Sequence, residues 1–167
     1  MNRHDIEKNL ELLGQELHKR SVTGEIVIAG GAMMLLLVQN RPSTQDVDAY
    51  FLKEGLAIRE AAQVVAKRRR LPTHWLNDAM KGFFVSEAPL ELWRDFVGLR
   101  VYMVTPAYLL AMKAMAGRPQ DDRDLVALIQ YLHITHAQEA LTIIKQFIPE
   151  HLLTPRIQYF IEGLFDE

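Results

Sequence analysis

Apolar residues recur three or four positions apart in residues 3–20, with charged residues on the opposite side, and this spacing predicts an amphipathic helix. A short apolar run predicts a buried strand in residues 26–29, and a longer run predicts a helix in residues 32–38. Residues 46–51 and 99–104 are predicted to form two more strands. Helical patterns predict further helices in residues 53–70, 106–116, 120–132 and 136–147 and from Thr154 onward.

This order of elements alternates helices with strands first and ends in helices alone. We therefore expect an α+β fold, in which a mixed β-sheet is flanked by helices and followed by a helical C-terminal portion. A chain of 167 residues is long enough to bury a core of its own. We expect residues 1–167 to form one domain, with an α/β core in residues 1–104 and the helical portion in residues 105–167.

Composition narrows the class of protein. The chain has no cysteine, which excludes disulfides and cysteine metal sites and favours a cytoplasmic location. The longest apolar run is interrupted by two glycines and is too short to cross a bilayer, so we expect no membrane association. The net charge of −2 shows no overall signature of nucleic-acid binding, so any RNA contact must depend on a local patch.

Two short motifs carry the strongest chemical signal. Gly30 and Gly31 follow the first predicted strand and precede a helix, where glycine lets backbone N–H groups approach an anion closely. Asp46 and Asp48 are two positions apart on a predicted strand, so both carboxylates point to the same face. Such a pair can hold one or two Mg²⁺ ions, which are the usual cations for moving a phosphoryl or nucleotidyl group.

Three later stretches hold charged residues that allow two interpretations each. Lys113 lies within an apolar run and either extends its ammonium group to water or binds phosphate. Arg118, Asp121 and Asp124 follow at the start of the next helix, where acids also suit the helix dipole without any function. The basic residues 67–70 are either a solvated helix end or a phosphate-binding patch.

Taken in order, these motifs resemble the signature of the nucleotidyltransferase superfamily, whose best-known member is DNA polymerase beta. The matching segments are Gly30-Gly31, Arg41-Pro42-Ser43-Thr44-Gln45-Asp46-Val47-Asp48, Lys113, and Arg118-Pro119-Gln120-Asp121-Asp122-Arg123-Asp124-Leu125. More narrowly, the chain is similar to the small stand-alone nucleotidyltransferases of prokaryotic toxin–antitoxin and abortive-infection systems. The resemblance spans residues 26–125 and implies a nucleotidyltransferase-like fold.

The resemblance also implies roles for individual residues. The catalytic group consists of Asp46, Asp48, Lys113 and Asp121, of which the first two would also bind Mg²⁺ or Mn²⁺. The group that binds the nucleotide and its phosphates consists of Gly30, Gly31, Arg41 and Thr44. Second-rank candidates are Asp78, Arg118 and Asp124. Related polymerases carry a third carboxylate on a neighbouring strand, but the strand predicted in residues 99–104 contains no acid, which leaves a two-metal site incomplete.

The reaction implied by the resemblance transfers a nucleoside monophosphate from a nucleoside triphosphate to an acceptor. RNA, and the tRNA 3′ end in particular, is the expected acceptor. Transfer of AMP to a partner protein, as in antitoxin-type members, and a catalytically silent interaction module are the alternatives. The resemblance also raises a role as a toxin, with a cognate toxin or antitoxin protein as a partner.

Overall fold

The computed structural model describes residues 1–82 and 87–166, which divide into two compact units. Residues 1–82 and 90–104 form the first unit, and residues 87–89 and 105–166 lie in the second. The first unit contains the β-sheet, and the elements of the second unit are helices. The predicted α+β fold class, with a mixed sheet, flanking helices and a helical C-terminal portion, is confirmed.

Within the described residues, the sheet has five strands in the order β3-β2-β1-β5-β4. These strands are β1 (Gly24–Ile28), β2 (Val47–Lys53), β3 (Leu76–Asn77), β4 (Leu90–Phe96) and β5 (Leu99–Val104). β1 is antiparallel to β2 and parallel to β5, β2 is parallel to β3, and β4 is antiparallel to β5. The loop that follows β1 therefore leaves the sheet at its centre, beside the start of β2.

Two long helices cover the sheet of the first unit. Helix α1 (Arg3–Lys19) packs against β5 and against α3 (Gly55–Arg69), and α3 also packs against β1 and β2. Both helices bury apolar side chains at helical spacing, as the sequence predicted. Asn2 caps α1, since its side chain accepts the Asp5 N–H and the Asp5 carboxylate accepts the N–H of Asn2. The apolar positions predicted from the sequence are thus among the buried positions of both helices.

A short helix, α2 (Gly30–Met33), follows β1 and continues as a π-helical turn, Met34–Val38. The sequence predicted a helix here but not its π-helical form. The Gln39 N–H bonds to the carbonyl of Met34, five residues earlier, at 2.7 Å. The carbonyl of Leu36 accepts a 2.8 Å hydrogen bond from Nη1 of Arg3. Because this bond comes from another helix, no local sequence pattern could reveal it.

The second unit contains four α-helices among its described residues: α4 (Pro106–Ala116), α5 (Asp122–Tyr131), α6 (Ala137–Phe147) and α7 (Pro155–Gly163). Thr105 and Thr154 cap α4 and α7 through their side-chain oxygens, and a proline follows each cap. Gly117 ends α4 with φ +58°. The rings of Tyr108 and Phe147 meet edge to face, with centroids 5.3 Å apart, and join α4 to α6.

Strand β4 was not predicted, because its residues lack the simple alternation of apolar and polar side chains. Leu90 and Leu92 are exposed, and the register shifts between Leu92 and Arg94, which is typical of a β-bulge. In residues 1–82 and 87–166, no helix combines the length and the apolar character that a membrane span needs.

Candidate active site

Gly30 and Gly31, the Gly-Gly turn, come one residue after the end of β1 and are the first two residues of α2. Gly30 has a φ of +63°, in the left-handed region that favours glycine. A Cβ atom at Gly30 would lie 3.7 Å from Oδ2 of Asp48. The turn and the carboxylate therefore face each other, and the missing side chain keeps the space between them open.

Gly31 lies next to the guanidinium group of Arg41 and the hydroxyl group of Thr44. A Cβ atom at Gly31 would lie 3.1 Å from Nη1 of Arg41 and 3.6 Å from Oγ1 of Thr44. The Thr44 hydroxyl donates to the carbonyl of Asp46 at 3.1 Å. Two backbone hydrogen bonds, of 2.9 Å and 2.7 Å, join Thr44 to Met1. These bonds fix the loop so that polar groups from residues 41 and 44 lie against the glycine backbone.

Asp46 directly precedes β2, and Asp48 is the second residue of that strand. Both are half-buried, and the period of two places both side chains on the same face of the sheet. Burial raises the pKa of Asp46, and the negative charge of Asp48 raises it further, while His74 acts in the opposite direction. Two adjacent carboxylates that repel each other in partly desolvated positions form a donor set that a divalent cation would stabilise.

The residues present fit such a cation as an open site. In the described residues, no group of three or more His, Cys, Asp or Glu side chains is arranged to hold a metal ion. The carboxylates of Asp46 and Asp48 would therefore supply two ligands, and water or phosphate oxygens would supply the rest. Mg²⁺ commonly binds in this way, through one or two carboxylates and substrate phosphates.

The strand beside β2 at this point is β3, whereas the sequence pointed to β5 as the neighbour that lacks a third carboxylate. β5 pairs with β1, and Asp48 is in register with Asn77 of β3. The next residue, Asp78, accepts the N–H of Phe51 at 3.0 Å and a 2.8 Å hydrogen bond from Arg59. Asp78 therefore joins the segment after β3 to β2 and to α3. Asn77 is the residue beside Asp48.

The basic residues 67–70 at the end of α3 form bonds within the first unit. Nη2 of Arg68 bonds to Glu16 at 2.8 Å, and Nε of Arg69 bonds to the amide oxygen of Asn9 at 3.1 Å. These two arginines join α3 to α1. All four residues of the run are exposed at the end of the helix, which agrees with the interpretation of a solvated helix end.

Lys113 of α4, Asp124 of α5 and Asp121, which directly precedes α5, form a buried cluster in the second unit. Nζ of Lys113 lies 2.7 Å from Oδ1 of Asp121 and 2.8 Å from Oδ2 of Asp124, and these three side chains are 7%, 5% and 4% exposed. Nε of Arg118 bonds to the other oxygen of Asp121 at 2.8 Å. The ammonium group of Lys113 therefore does not extend to water, and Arg118 pairs with Asp121.

The predicted site residues fall into two groups. The first unit brings together Gly30, Gly31, Arg41, Thr44, Asp46 and Asp48. The second unit brings together Lys113, Arg118, Asp121 and Asp124. Asp78 lies in the first unit and contacts Phe51 and Arg59. Sequence reasoning missed Asn77 and His74, because only the pairing of β2 with β3 reveals that they adjoin the carboxylate pair.

The mixed sheet and the helical second unit agree with a nucleotidyltransferase-like protein of the α+β class. A family model described as "nucleotidyltransferase of unknown function (DUF6036)" matches residues 4–145, which is most of the chain. The chain belongs to this family. No curated protein and no solved structure matched the chain.

Proposed function

We propose that this protein is a Mg²⁺-dependent nucleotidyltransferase that transfers a nucleoside monophosphate from a nucleoside triphosphate to an RNA hydroxyl. The observation that carries the proposal is the carboxylate of Asp48 facing the turn at Gly30, with Asp46 beside it on the same face of the sheet. Membership of the nucleotidyltransferase family supports the same reaction class.

Asp46 and Asp48 are the proposed ligands of Mg²⁺ or Mn²⁺. When bound, the cation would neutralise charge on the triphosphate oxygens. The two carboxylates would fix the position of the triphosphate relative to β2, since Asp46 directly precedes this interior strand and Asp48 is its second residue.

The Gly-Gly turn and its loop are the proposed phosphate site. Gly30 and Gly31 have no side chains to block backbone N–H groups from phosphate oxygens. Arg41 and Thr44 lie against Gly31. Arg41 would add a cation, and the Thr44 hydroxyl would add a donor once it turns from the Asp46 carbonyl to a phosphate oxygen. Because two backbone bonds join Thr44 to Met1, the position of Thr44 is set before the nucleotide binds.

In the proposed step, the acceptor oxygen attacks the α-phosphorus and forms a new P–O bond. The bond between the α-phosphorus and its bridging oxygen breaks, and pyrophosphate leaves with the bonding electrons. The proton of the acceptor hydroxyl passes to solvent. The residues of the chain would contribute mainly by positioning the groups and by stabilising charge, as is usual in transfers of this kind.

The roles proposed for Lys113, Asp121, Arg118 and Asp124 rest on the resemblance of their motif. Their buried cluster would hold the start of α5 in a fixed position relative to α4. Arg118 is the cluster member that reaches the surface, since its side chain is 53% exposed while its Nε remains bonded to Asp121.

The tRNA 3′ end is the proposed acceptor, and modification of tRNA would account for a role as a toxin. Exposed cations on the first unit, Lys67, Arg70 and Lys81, would supply the local charge that RNA binding needs. Transfer of AMP to a cognate protein differs only in the nucleophile, and the labelling experiment separates the two acceptors.

The experiment incubates the purified chain with each labelled nucleoside triphosphate, Mg²⁺ and total RNA. We expect label in the tRNA band with the wild type and none with Asp48→Asn. Asp95→Asn is the matched control, because Asp95 is an exposed acid on β4 of the same unit, and this variant should label like the wild type. Label on protein instead would indicate side-chain modification. Absence of label together with absence of nucleotide binding would favour a silent interaction module.

A further inference from the structure

The residue beside Asp48 on the neighbouring strand is an amide, where an acid would complete a larger metal site. Asp48 and Asn77 are in register on the parallel strands β2 and β3. Residues in register on adjacent strands direct their side chains to the same face of the sheet. A carboxylate at position 77 would therefore form a three-acid set with Asp46 and Asp48.

The hydrogen bonding of Asn77 makes its side chain a poor ligand for a cation. Its Oδ1 atom accepts the backbone N–H of Ala79 at 3.0 Å. The other polar atom, Nδ2, is a donor and cannot bind a cation. The adjacent acid, Asp78, uses one carboxylate oxygen for the N–H of Phe51 and the other for Arg59.

We infer that Asn77 restricts this site to a single divalent cation, held by Asp46 and Asp48. The inference rests on the proposed function, which supplies the cation. The charge of one cation is balanced by the two carboxylates, whereas a second cation would lack an anionic protein ligand. This agrees with the absence, among the described residues, of any group of three or more His, Cys, Asp or Glu side chains able to hold a metal.

The test measures binding of Mn²⁺ alone to the full chain, by the electron paramagnetic resonance signal of the free ion. We expect one Mn²⁺ per wild-type chain. Asn77→Asp should bind a second Mn²⁺, or bind the first at least about tenfold more tightly, because affinity rises with the number of charged ligands. An aspartate can accept the Ala79 N–H as the asparagine does, and circular dichroism checks that the variant is folded.

Gln130→Glu is the matched control, since it adds the same charge on an exposed position of α5 in the second unit. Two Mn²⁺ ions on the wild type, or equal binding by Asn77→Asp and Gln130→Glu, would overturn the inference while leaving the proposed function intact. Wild-type binding that Asp46→Ala leaves unchanged would overturn the proposed cation site, and the inference with it.

Discussion

Replacement of Lys113 by methionine tests how the buried cluster of the second unit is held together. The ammonium group lies 2.7 Å and 2.8 Å from the carboxylates of Asp121 and Asp124, and all three side chains are almost completely buried. Methionine fills a similar volume without a charge. The substitution therefore leaves two negative charges close together in a position from which water is largely excluded.

Breaking a buried ion pair on one side costs about 3–5 kcal/mol. We expect Lys113→Met to lower the free energy of unfolding by about 3 kcal/mol, near the lower end of this range, because Arg118 still bonds to Asp121. Lys145→Met is the matched control, since Lys145 is exposed on α6, and we expect it to change the free energy of unfolding by less than about 0.5 kcal/mol.

Urea unfolding followed by far-ultraviolet circular dichroism is the suitable assay. Both tryptophans, Trp75 and Trp93, lie in the first unit, so tryptophan fluorescence would not report directly on the helices of the second. Adding Asp121→Asn and Asp124→Asn to Lys113→Met should restore part of the lost stability, because neutral amides cost less to bury than carboxylates. Equal unfolding midpoints for Lys113→Met and Lys145→Met would refute the reasoning.

Two further predictions concern the first unit. Gly30→Ala should lower the free energy of unfolding by about 1 kcal/mol, because alanine is strained at φ +63°. Gly82→Ala is the control, since Gly82 has open space around it, and urea unfolding of both variants measures the difference. The hydrogen bond from Lys19, joined by one from Arg68, lowers the pKa of Glu16 despite burial of its carboxylate. Glu16 therefore stabilises the fold above the carboxylate's unfolded pKa and loses this effect as pH falls through its folded pKa. Glu16→Gln should cost about 0.5–1 kcal/mol at neutral pH and less on acidification, and an unchanged difference in urea unfolding across that range would contradict this.

Local patterns in the sequence were sufficient for the elements whose form depends on near neighbours. Helix α1 and strand β2 follow from apolar spacing, and α4 begins at the predicted cap, Thr105. The closeness of Gly30 and Asp48 also follows from local connectivity, since a single helix and loop join the two. These features involve contacts that are short in sequence, and the residue types alone determine them.

The remaining features depend on contacts between distant parts of the chain. The π-helical turn is bonded to Arg3, and β3 is a strand of two residues whose position beside β2 is set by pairing rather than by propensity. For this reason Asn77 was not recognised as the neighbour of Asp48. Likewise, the burial of Lys113 depends on acids eight and eleven positions later, which an apolar run around the lysine does not reveal.

The central claim is that Asp46 and Asp48 form a cation and nucleotide site. Because burial and Asp48 raise the pKa of Asp46, its charged form lowers the stability of the cation-free fold at neutral pH. Asparagine removes this cost and also removes a cation ligand. The most direct measurement is the thermal unfolding midpoint of the wild type and of Asp46→Asn, each with and without ATP and Mg²⁺.

We expect Asp46→Asn to unfold at a higher temperature than the wild type when no ligand is present. Addition of ATP and Mg²⁺ should raise the midpoint of the wild type and leave that of Asp46→Asn unchanged, because ligand that binds only the folded state stabilises it. An equal rise in both proteins, or no rise in the wild type, would contradict the proposed site.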